Sequence, residues 1–264
     1  MFLMNTKDGV TTLTLSHPPV NAISQEWVLA FDAKLDQLAN GPSYTVLHIR
    51  SDQKVFCAGA DLKEVRVRMD ASDGADRMYS YVASIQRLYT RIERLAQVTL
   101  VEIGGAAMGG GLELALACDL RIAANETKLG LPEARLGLIP GAGGTQRLTR
   151  LCGPALAARL ILGAEIIDGA AAERLGVIHW TVPGSELPQR ATKIARRIAD
   201  LSPAALTACK SCISAAVSND RGGYSDELDF TRRLLKDAET RRRVEAFLSG
   251  SAEASVQIKT GATR

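Results

Sequence analysis

Two glutamates in apolar surroundings are the residues of this sequence best suited to acid–base chemistry. Glu113 falls in the first turn of a short predicted helix rich in leucine and alanine, and Glu133 follows Pro132, a residue typical of a helix start. Either carboxylate could simply complement the positive end of a helix dipole. Burial would instead raise the pKa of each carboxyl group towards that of a useful acid or base, and two such groups could hold one water molecule between them.

Two glycine-rich turns surround the middle of the chain. Residues 56–61 (FCAGAD) and 104–111 (GGAAMGGG) each join a predicted strand to a predicted helix. Such turns collect unpaired backbone N–H groups, and two turns that face each other could stabilise the charge that develops on a carbonyl oxygen. Phosphate binding is the rival function, but neither turn contains G-x-x-x-x-G-K-[ST] or a complete dinucleotide-binding fingerprint. Close packing of a helix on a strand is a third explanation, and the glycines alone do not separate it from the first.

Strands that alternate with helices indicate an α/β fold. Apolar or alternating segments predict strands at 10–16, 45–51, 98–103, 120–124 and 178–182. Helical spacing and capping residues predict helices at 24–39, 79–95, 112–118, 145–151, 155–162, 169–175, 186–201, 203–217 and 225–247. The polar segment 64–78 suggests a mobile loop or a frayed helix, and residues 250–264 suggest a loose tail. An α/β body is therefore expected to precede a helical C-terminal part.

Three motifs resemble those of the crotonase (enoyl-CoA hydratase/isomerase) superfamily. They are residues 56–64 (FCAGADLKE), residues 109–115 (GGGLELA) with Cys118-Asp119 after them, and residues 130–148 (GLPEARLGLIPGAGGTQRL). Their order and separations match the superfamily, and the likeness extends from about Gly9 to about Phe247. The resemblance implies a crotonase-like spiral of β-β-α turns over residues 1–200, followed by a helical trimerisation region over 201–264. It also implies a homotrimer or a dimer of trimers, acyl-coenzyme A thioesters as substrates, and no metal or redox cofactor.

The resemblance also assigns roles to individual residues. Glu113 and Glu133 match the two catalytic glutamates of the hydratases, with Glu113 activating the water and Glu133 passing a proton to carbon 2. Ala60 and Gly110 match the residues whose backbone N–H groups form the oxyanion hole. The positions expected beside the coenzyme A substrate are Ala58, Asp61, Leu62 and Lys63.

Reversible hydration of a 2-enoyl-CoA to a 3-hydroxyacyl-CoA is the function that this resemblance implies. A double-bond isomerase needs one carboxylate rather than two, so the presence of both glutamates weighs against it; another acyl-CoA lyase of the superfamily is the remaining enzymatic alternative. A non-enzymatic alternative is RNA binding, which would need a basic stripe. The arginines at 232–233 and 241–243 are the candidates for that stripe, although a solvated helix face explains them more simply.

The sequence departs from the family pattern at two places where basic residues are expected near the phosphates of coenzyme A. Residues 17–22 (HPPVNA) lack the basic residue that many hydratases carry before Asn-Ala, and residues 248–251 (LSGS) stand where many have a Lys-Arg pair. Arg66 and Arg68 could compensate, but a solvated loop face is the simpler interpretation because exposed charges are the rule. His17, His48 and His179 lack a companion nucleophile and are not expected to act in catalysis.

Composition excludes several classes of protein. With 264 residues, 46% of them hydrophobic, and a net charge of +3, the chain can bury a sizeable core and does not demand an anionic polymer as partner. No segment has the roughly 20 apolar residues that a membrane span needs, and the N-terminus lacks the apolar stretch of a signal peptide. The five cysteines suggest reduced, buried residues of a cytoplasmic protein, and the C-x-x-C pair Cys209 and Cys212 suggests two neighbours on a helix.

Overall fold

The computed structural model describes residues 1–41, 43–217 and 222–248. Its strands are β1 (Phe2–Lys7), β2 (Val10–Leu15), β3 (Val46–Ser51), β4 (Val98–Ile103), β5 (Ala107–Met108), β6 (Leu120–Ala124), β7 (Lys128–Gly130), β8 (Ile166–Asp168) and β9 (Trp180–Val182). Its α-helices are α1 (Gln25–Ala39), α2 (Leu62–Met69), α3 (Gly74–Glu93), α4 (Gly110–Leu116), α5 (Gly144–Leu162), α6 (Gly169–Arg174), α7 (Leu187–Ala199), α8 (Pro203–Val217), α9 (Gly223–Leu234) and α10 (Ala238–Leu248). A short 3-10 helix spans Glu133–Leu136.

The strands form two sheets through which the chain passes in successive turns. The larger sheet has the order β1-β2-β3-β4-β6-β9 and is parallel except for the β1–β2 pair, while the smaller has the order β5-β7-β8. After β4 the chain adds β5 to the small sheet and then forms α4, and after β6 it adds β7 and then forms the 3-10 helix and α5. This repetition is the crotonase-like spiral that the sequence motifs predict.

Strand β4 shows why the large sheet is buried on both faces. All six of its residues are buried, as expected for a central strand of a parallel sheet. Val101 and Ile103 pack into the main core with α1 and α3, whereas Val98 and Leu100 pack with α7 on the opposite face. The chemistry-bearing turns follow the carboxyl ends of β3 and β4, so this doubly covered sheet fixes their positions.

The C-terminal helices attach to the core through a few polar contacts. Lys210 of α8 forms a 2.7 Å ion pair with Asp119 and donates a 3.1 Å hydrogen bond to the Gln97 carbonyl oxygen. The Thr207 hydroxyl donates to the carbonyl oxygen of Ala96 at 3.0 Å. Helices α9 and α10 contain no buried residue. None of the described helices is long and apolar enough to cross a membrane.

Several boundaries differ from those that the sequence predicts. Segment 64–78, expected as a mobile loop or a frayed helix, is mostly helical: it contains most of α2, which Asp61 caps, and the start of α3. The helix predicted at 225–247 is two helices, because the Asp237 carboxylate accepts the Thr240 backbone N–H at 3.0 Å and starts α10. The separate helices predicted at 145–151 and 155–162 are confirmed, because Gly153 (φ +80°, ψ 163°) is not helical and divides α5 into two helical parts. Strands β1, β5, β7 and β8 were not predicted, and residues 249–264 lie outside the described part of the chain.

Candidate active site

The turn that follows β3 is held against the chain before α1. The Ile23 backbone N–H donates to the Gly59 carbonyl oxygen at 2.8 Å, and the Asp61 backbone N–H donates to the Ile23 carbonyl oxygen at 2.9 Å. This parallel bridge pairs Ile23 with Ala60 through the two neighbours of Ala60, so the N–H and carbonyl groups of Ala60 itself point away from Ile23. The Ala60 N–H therefore has no hydrogen-bond acceptor in the described residues.

The second turn begins α4 and leaves another N–H group without an acceptor. Gly109 adopts φ +52°, and its backbone N–H donates to the Gly130 carbonyl oxygen at 2.9 Å, which fixes the direction in which the chain enters the helix. Gly110 is the first residue of α4, where a backbone N–H has no partner within the helix. The Gly110 N–H also has no acceptor elsewhere in the described chain.

The two turns pack backbone against backbone. A Cβ atom added at Gly59 would lie 2.8 Å from the Met108 carbonyl oxygen and 3.3 Å from the Gly110 nitrogen. One added at Gly110 would lie 3.8 Å from the Ala60 nitrogen. Side chains are thus excluded from this contact, and the free N–H groups of Ala60 and Gly110 are brought side by side. A pair of neighbouring N–H donors of this kind is able to bind one carbonyl oxygen.

Glu113 is buried on the first turn of α4, with 3% of its surface exposed. Its Oε1 accepts the Gly144 backbone N–H at 2.7 Å. Burial raises the pKa of Glu113 to about 7, the negative charge of Glu133 adds to the rise, and hydrogen bonds from the Gly144 and Ala142 backbone together with the charge of Arg147 oppose it. A carboxyl group that titrates near neutral pH can both take up and release a proton during a reaction.

Glu133 also lies close to the start of α4. It is the first residue of the 3-10 helix, and its Oε1 lies 2.8 Å from the position that a Cβ atom on Gly109 would occupy. Its Oε2 is buried and has no hydrogen-bond partner in the described residues. Burial raises the pKa of Glu133. An unpaired buried carboxylate oxygen costs free energy unless a ligand or water satisfies it. The Oε2 atom of Glu133 is therefore a candidate hydrogen-bonding partner for a bound ligand or water.

The other positions assigned to substrate binding lie along the first turn and the start of α2. Ala58, Leu62 and Lys63 are exposed, and the Lys63 side chain forms no ion pair with the described residues. Asp61 has a structural task, because its Oδ1 accepts the backbone N–H of Lys63 at 2.9 Å as the N-cap of α2. Among these four residues, Lys63 is therefore the one whose charged side chain is available to a substrate.

Some residues that hold the site were not singled out in the sequence. Asn21, fully buried at φ +50°, donates to the carbonyl oxygen of Phe56 at 2.9 Å and to the Ser51 hydroxyl at 2.8 Å. Its partners lie up to 35 residues away. The Asn-Ala signal was visible in the sequence, but only the fold shows that Asn21 anchors the entry to the first turn.

The interpretation of Arg68 as part of a solvated loop face was wrong. Its side chain is only 14% exposed, pairs with Glu64 at 2.9 Å, and places the guanidinium 4.2 Å from the centre of the Tyr81 ring. Arg66 is exposed, but on a helix rather than a loop. The prediction that the cysteines are buried holds for Cys57 and Cys118 and fails for Cys209, which is exposed on α8.

His48 and His179 are engaged away from the two turns. His48 lies 2.9 Å from Glu102 in a buried pair between β3 and β4. His179 Nδ1 accepts the Arg121 backbone N–H at 3.1 Å, and burial lowers the pKa of His179 to about 4. A cleft of about 770 Å³ lies between α3, α5 and α8 and is lined by residues such as Arg94 and Lys210. Neither Glu113 nor Glu133 lines it. Among the described residues, no cluster of three or more His, Cys, Asp or Glu side chains is arranged to hold a metal ion.

Comparison with known proteins identifies the family to which this site belongs. The sequence profile of the family described as enoyl-CoA hydratase/isomerase matches residues 5–250. The chain is 37% identical over 262 residues to a probable mitochondrial enoyl-CoA hydratase 2 of Arabidopsis thaliana, covering 98% of this chain and 84% of that protein. It is 38% identical over 250 residues to an enoyl-CoA isomerase/hydratase of Mycosarcoma maydis, covering 90% of this chain and 89% of the relative.

A solved structure gives the same result for the fold. The crystal structure of an enoyl-CoA hydratase from Bacillus anthracis superposes with a TM-score of 0.88 at 32% sequence identity, covering 94% of this chain and 96% of the other. The comparisons of sequence and of fold therefore point to the same family. The chain belongs to the enoyl-CoA hydratase/isomerase family of the crotonase superfamily.

Proposed function

We propose that the protein is an enoyl-CoA hydratase, which reversibly adds water to a 2-enoyl-CoA thioester and forms a 3-hydroxyacyl-CoA. The observation that carries the proposal is the placement of two carboxyl groups, buried Glu113 and half-buried Glu133, around the helix start that presents the free Gly110 N–H. Family membership and the hydratases among the similar proteins support it.

In the proposed reaction the N–H groups of Ala60 and Gly110 bind the thioester oxygen. These donors withdraw electron density along the conjugated system, which makes carbon 3 electrophilic and stabilises the enolate that forms when it is attacked. The donors are backbone groups fixed by packing, so they need little reorganisation as charge develops. Electrostatic stabilisation of this kind often contributes more to the rate enhancement than any other single effect.

The two glutamates move the protons of the same step. Ionised Glu113 takes a proton from the water, whose oxygen forms the bond to carbon 3. Protonated Glu133 gives its proton to carbon 2 as the carbon–carbon double bond becomes single. Passage of one proton from Glu113 back to Glu133 restores the starting state, so the atoms of one water are consumed and the enzyme is unchanged. The negative charge of Glu133 contributes to the raised pKa of Glu113, so the protonation of Glu113 depends on the state of its neighbour.

A double-bond isomerase is the second candidate within the family. It would move a proton between carbons 2 and 4 with a single carboxylate, and one similar protein carries both activities in its name. The buried, unpaired Oε2 of Glu133 favours the hydratase, because a reaction that needs one carboxylate gives no use to the second. Another acyl-CoA lyase of the superfamily would also use the oxyanion hole, but it would break a bond of the substrate other than the carbon–oxygen bond at carbon 3.

A direct assay with crotonyl-CoA tests the proposal. Purified protein should remove the absorbance of the conjugated thioester and form 3-hydroxybutyryl-CoA, whereas an isomerase would act on 3-enoyl-CoA instead. Longer 2-enoyl-CoA substrates should be assayed in parallel, since the acyl-chain length is not fixed by the glutamates. Absence of hydration with short and medium chains, in a protein that still binds acyl-CoA, would refute the hydratase proposal.

Substrate contacts of Ala58, Asp61, Leu62 and Lys63 are part of the same proposal. The exposed Lys63 ammonium is suited to a phosphate of coenzyme A, and Asp61 acts indirectly by capping the helix that carries Lys63. Lys63→Ala should weaken acyl-CoA binding while leaving turnover at saturation unchanged, with Lys54→Ala as a control. Equal Michaelis constants for the two variants would show that Lys63 does not contribute to acyl-CoA binding.

We propose assembly into a trimer or a dimer of trimers through the C-terminal helices. In the single chain, α9 and α10 expose large apolar side chains, among them Leu228 at 71% and Phe247 at 77%. Such a patch normally marks an interaction surface. Light scattering on the purified protein should give three or six times the mass of one chain. A monomer at micromolar concentration would contradict this proposal.

RNA binding is less well supported than enzymatic activity. Arg243 pairs with Glu239 at 2.7 Å and donates to the Asp200 carbonyl oxygen at 2.9 Å, so it is already engaged within the chain. Arg241 donates to the carbonyl oxygen of Leu235 at 3.2 Å. Salt-dependent RNA binding that disappears when residues 241–243 are replaced by glutamate would revive this alternative.

A further inference from the structure

Helix α3 carries two buried tyrosines, one bonded to the segment that holds the first glycine-rich turn and the other bonded to the second turn itself. Tyr81 and Tyr89 are 1% and 0% exposed. The Tyr81 hydroxyl donates a hydrogen bond to the Ile23 carbonyl oxygen, and the Tyr89 hydroxyl donates to the Gly110 carbonyl oxygen at 2.8 Å. Eight residues of α-helix rise about 12 Å, so one rigid element contacts two separate segments of chain.

The Tyr81 contact bears on the position of Ala60. The Ile23 carbonyl oxygen that accepts the Tyr81 hydroxyl is also the acceptor for the Asp61 backbone N–H, one of the two bonds that hold Ala60 in its bridge. A shift of Ile23 would carry Ala60 with it. Tyr81 is itself fixed, because the Arg68 guanidinium covers its ring.

The Tyr89 contact bears on the position of Gly110. Gly110 is the first residue of α4, so its carbonyl oxygen belongs to the turn of backbone that also bears its free N–H. Burial raises the pKa of both tyrosines above its ordinary value, which keeps each hydroxyl protonated as a donor to a carbonyl oxygen. Both contacts therefore persist over the pH range in which the enzyme would work.

We propose that Tyr81 and Tyr89 are positioning residues. Tyr81 holds the segment that bears the Ala60 N–H, Tyr89 holds the segment that bears the Gly110 N–H, and their shared helix sets the distance between these two donors of the oxyanion hole. This inference rests on the proposed function only in that a thioester oxygen must bind between Ala60 and Gly110. Each tyrosine acts through a backbone carbonyl group, and loss of either hydroxyl should loosen one donor relative to the other.

Conservative substitutions test each tyrosine separately. Tyr81→Phe and Tyr89→Phe keep the ring in the core and remove one hydroxyl group, and Tyr44→Phe is the matched control because the Tyr44 ring is also buried while its hydroxyl has no contact with either turn. Hydration of crotonyl-CoA should fall about tenfold in kcat for each test variant, with KM within about twofold of the parent, because misplaced donors stabilise the transition state less than the bound substrate. Tyr44→Phe should retain the parent kcat.

A spectroscopic measurement reports the oxyanion hole without requiring turnover. Cinnamoyl-CoA bound to the parent protein should show a red-shifted absorbance, because hydrogen bonds to the thioester oxygen polarise the conjugated system. The shift should be smaller in Tyr81→Phe and Tyr89→Phe and unchanged in Tyr44→Phe. A merely structural role would lower thermal stability and leave the red shift of the folded, ligand-bound protein intact.

The outcomes separate this inference from the proposed function. A red shift in the parent that diminishes in both variants supports the inference even when no substrate is hydrated, in which case the hydratase proposal alone fails. Parent-like red shifts and kcat values in both variants overturn the inference and leave the hydratase proposal standing. Absence of any red shift in the parent overturns the inference, because no thioester oxygen is then polarised at this site.

Discussion

The backbone N–H of Gly144 donates a 2.7 Å hydrogen bond to Oε1 of Glu113 across 31 residues of sequence. Gly144 has no room for a side chain, since a Cβ atom there would lie 2.8 Å from the same Oε1. The start of α5 therefore sets where the Glu113 carboxylate stands relative to the start of α4. This contact joins two of the sequence motifs at the candidate acid–base site.

Replacement of either glutamate by glutamine should remove most hydration activity. Glu113→Gln and Glu133→Gln each delete one proton carrier while retaining shape, so kcat should fall by roughly 10²–10⁴-fold. Binding of acyl-CoA should persist because the oxyanion donors are unchanged. Steady-state kinetics with crotonyl-CoA and calorimetric binding provide the measurements, with the exposed Glu26→Gln as control. Near-parent turnover in either variant would contradict the mechanism.

Ionisation of Glu113 should destabilise the fold as the pH rises from about 4.5 through about 7. Its pKa rises from 4.5 to about 7 on folding, so the folded state binds more protons than the unfolded state between these values. Stability from this group is therefore full below pH 4.5 and is lost as pH rises through 7, a loss of about 3 kcal/mol. Glu113→Gln should lose less free energy of unfolding than the parent between pH 5 and pH 8, measured by denaturant titration at fixed protein concentration.

Gly109 should be intolerant of any side chain because of Glu133. In Gly109→Ala the new Cβ atom would lie 2.8 Å from Oε1 of Glu133, in addition to the strain of φ +52°. Gly137→Ala is a matched control, since Gly137 has φ +69° and no atom within 4 Å of an added Cβ. Gly137→Ala should lose about 1 kcal/mol of stability. Gly109→Ala should lose more, because its ψ of −124° lies outside the left-handed helical region and because its new Cβ atom meets Glu133, and only this variant should lose about 10²-fold in kcat. Equal activity would show that the Glu133 position is not critical.

The acid limb of the pH–rate profile should depend on Arg147. Ionised Glu113 is the active form in water activation, so kcat/KM should fall as pH drops below about 7. Arg147 lowers the pKa of Glu113 and also donates to the Ala142 carbonyl oxygen at 3.0 Å. Arg147→Met should move the acid limb to higher pH by roughly half a unit, while Arg147→Lys should move it less. Identical limbs in all three proteins would exclude the electrostatic role.

Local chemistry in the sequence determined much of the fold and of the candidate site. The Ser24 hydroxyl accepts the Trp27 backbone N–H at 3.0 Å and starts α1 at the predicted place. The mostly apolar, β-branched segment 98–103 forms the buried strand β4, as its composition predicts. The two glycine turns and both glutamates were identified from residue types and motif order. These features depend on neighbours within a few residues, which is the range that a sequence pattern reports.

Tertiary structure decided which distant groups meet. Hydrogen bonds from Tyr81 to Ile23 span 58 residues and those from Tyr89 to Gly110 span 21, and no local pattern distinguishes these tyrosines from ordinary core residues. The division of the last helical segment at Asp237 depended on a single cap that competes with continuous helical spacing. The pKa of Glu113 likewise follows from burial and from donors on another helix. Sequence determined the chemical groups and their local frames, whereas long-range packing decided their distances and electrostatics, because both depend on segments that only folding brings together.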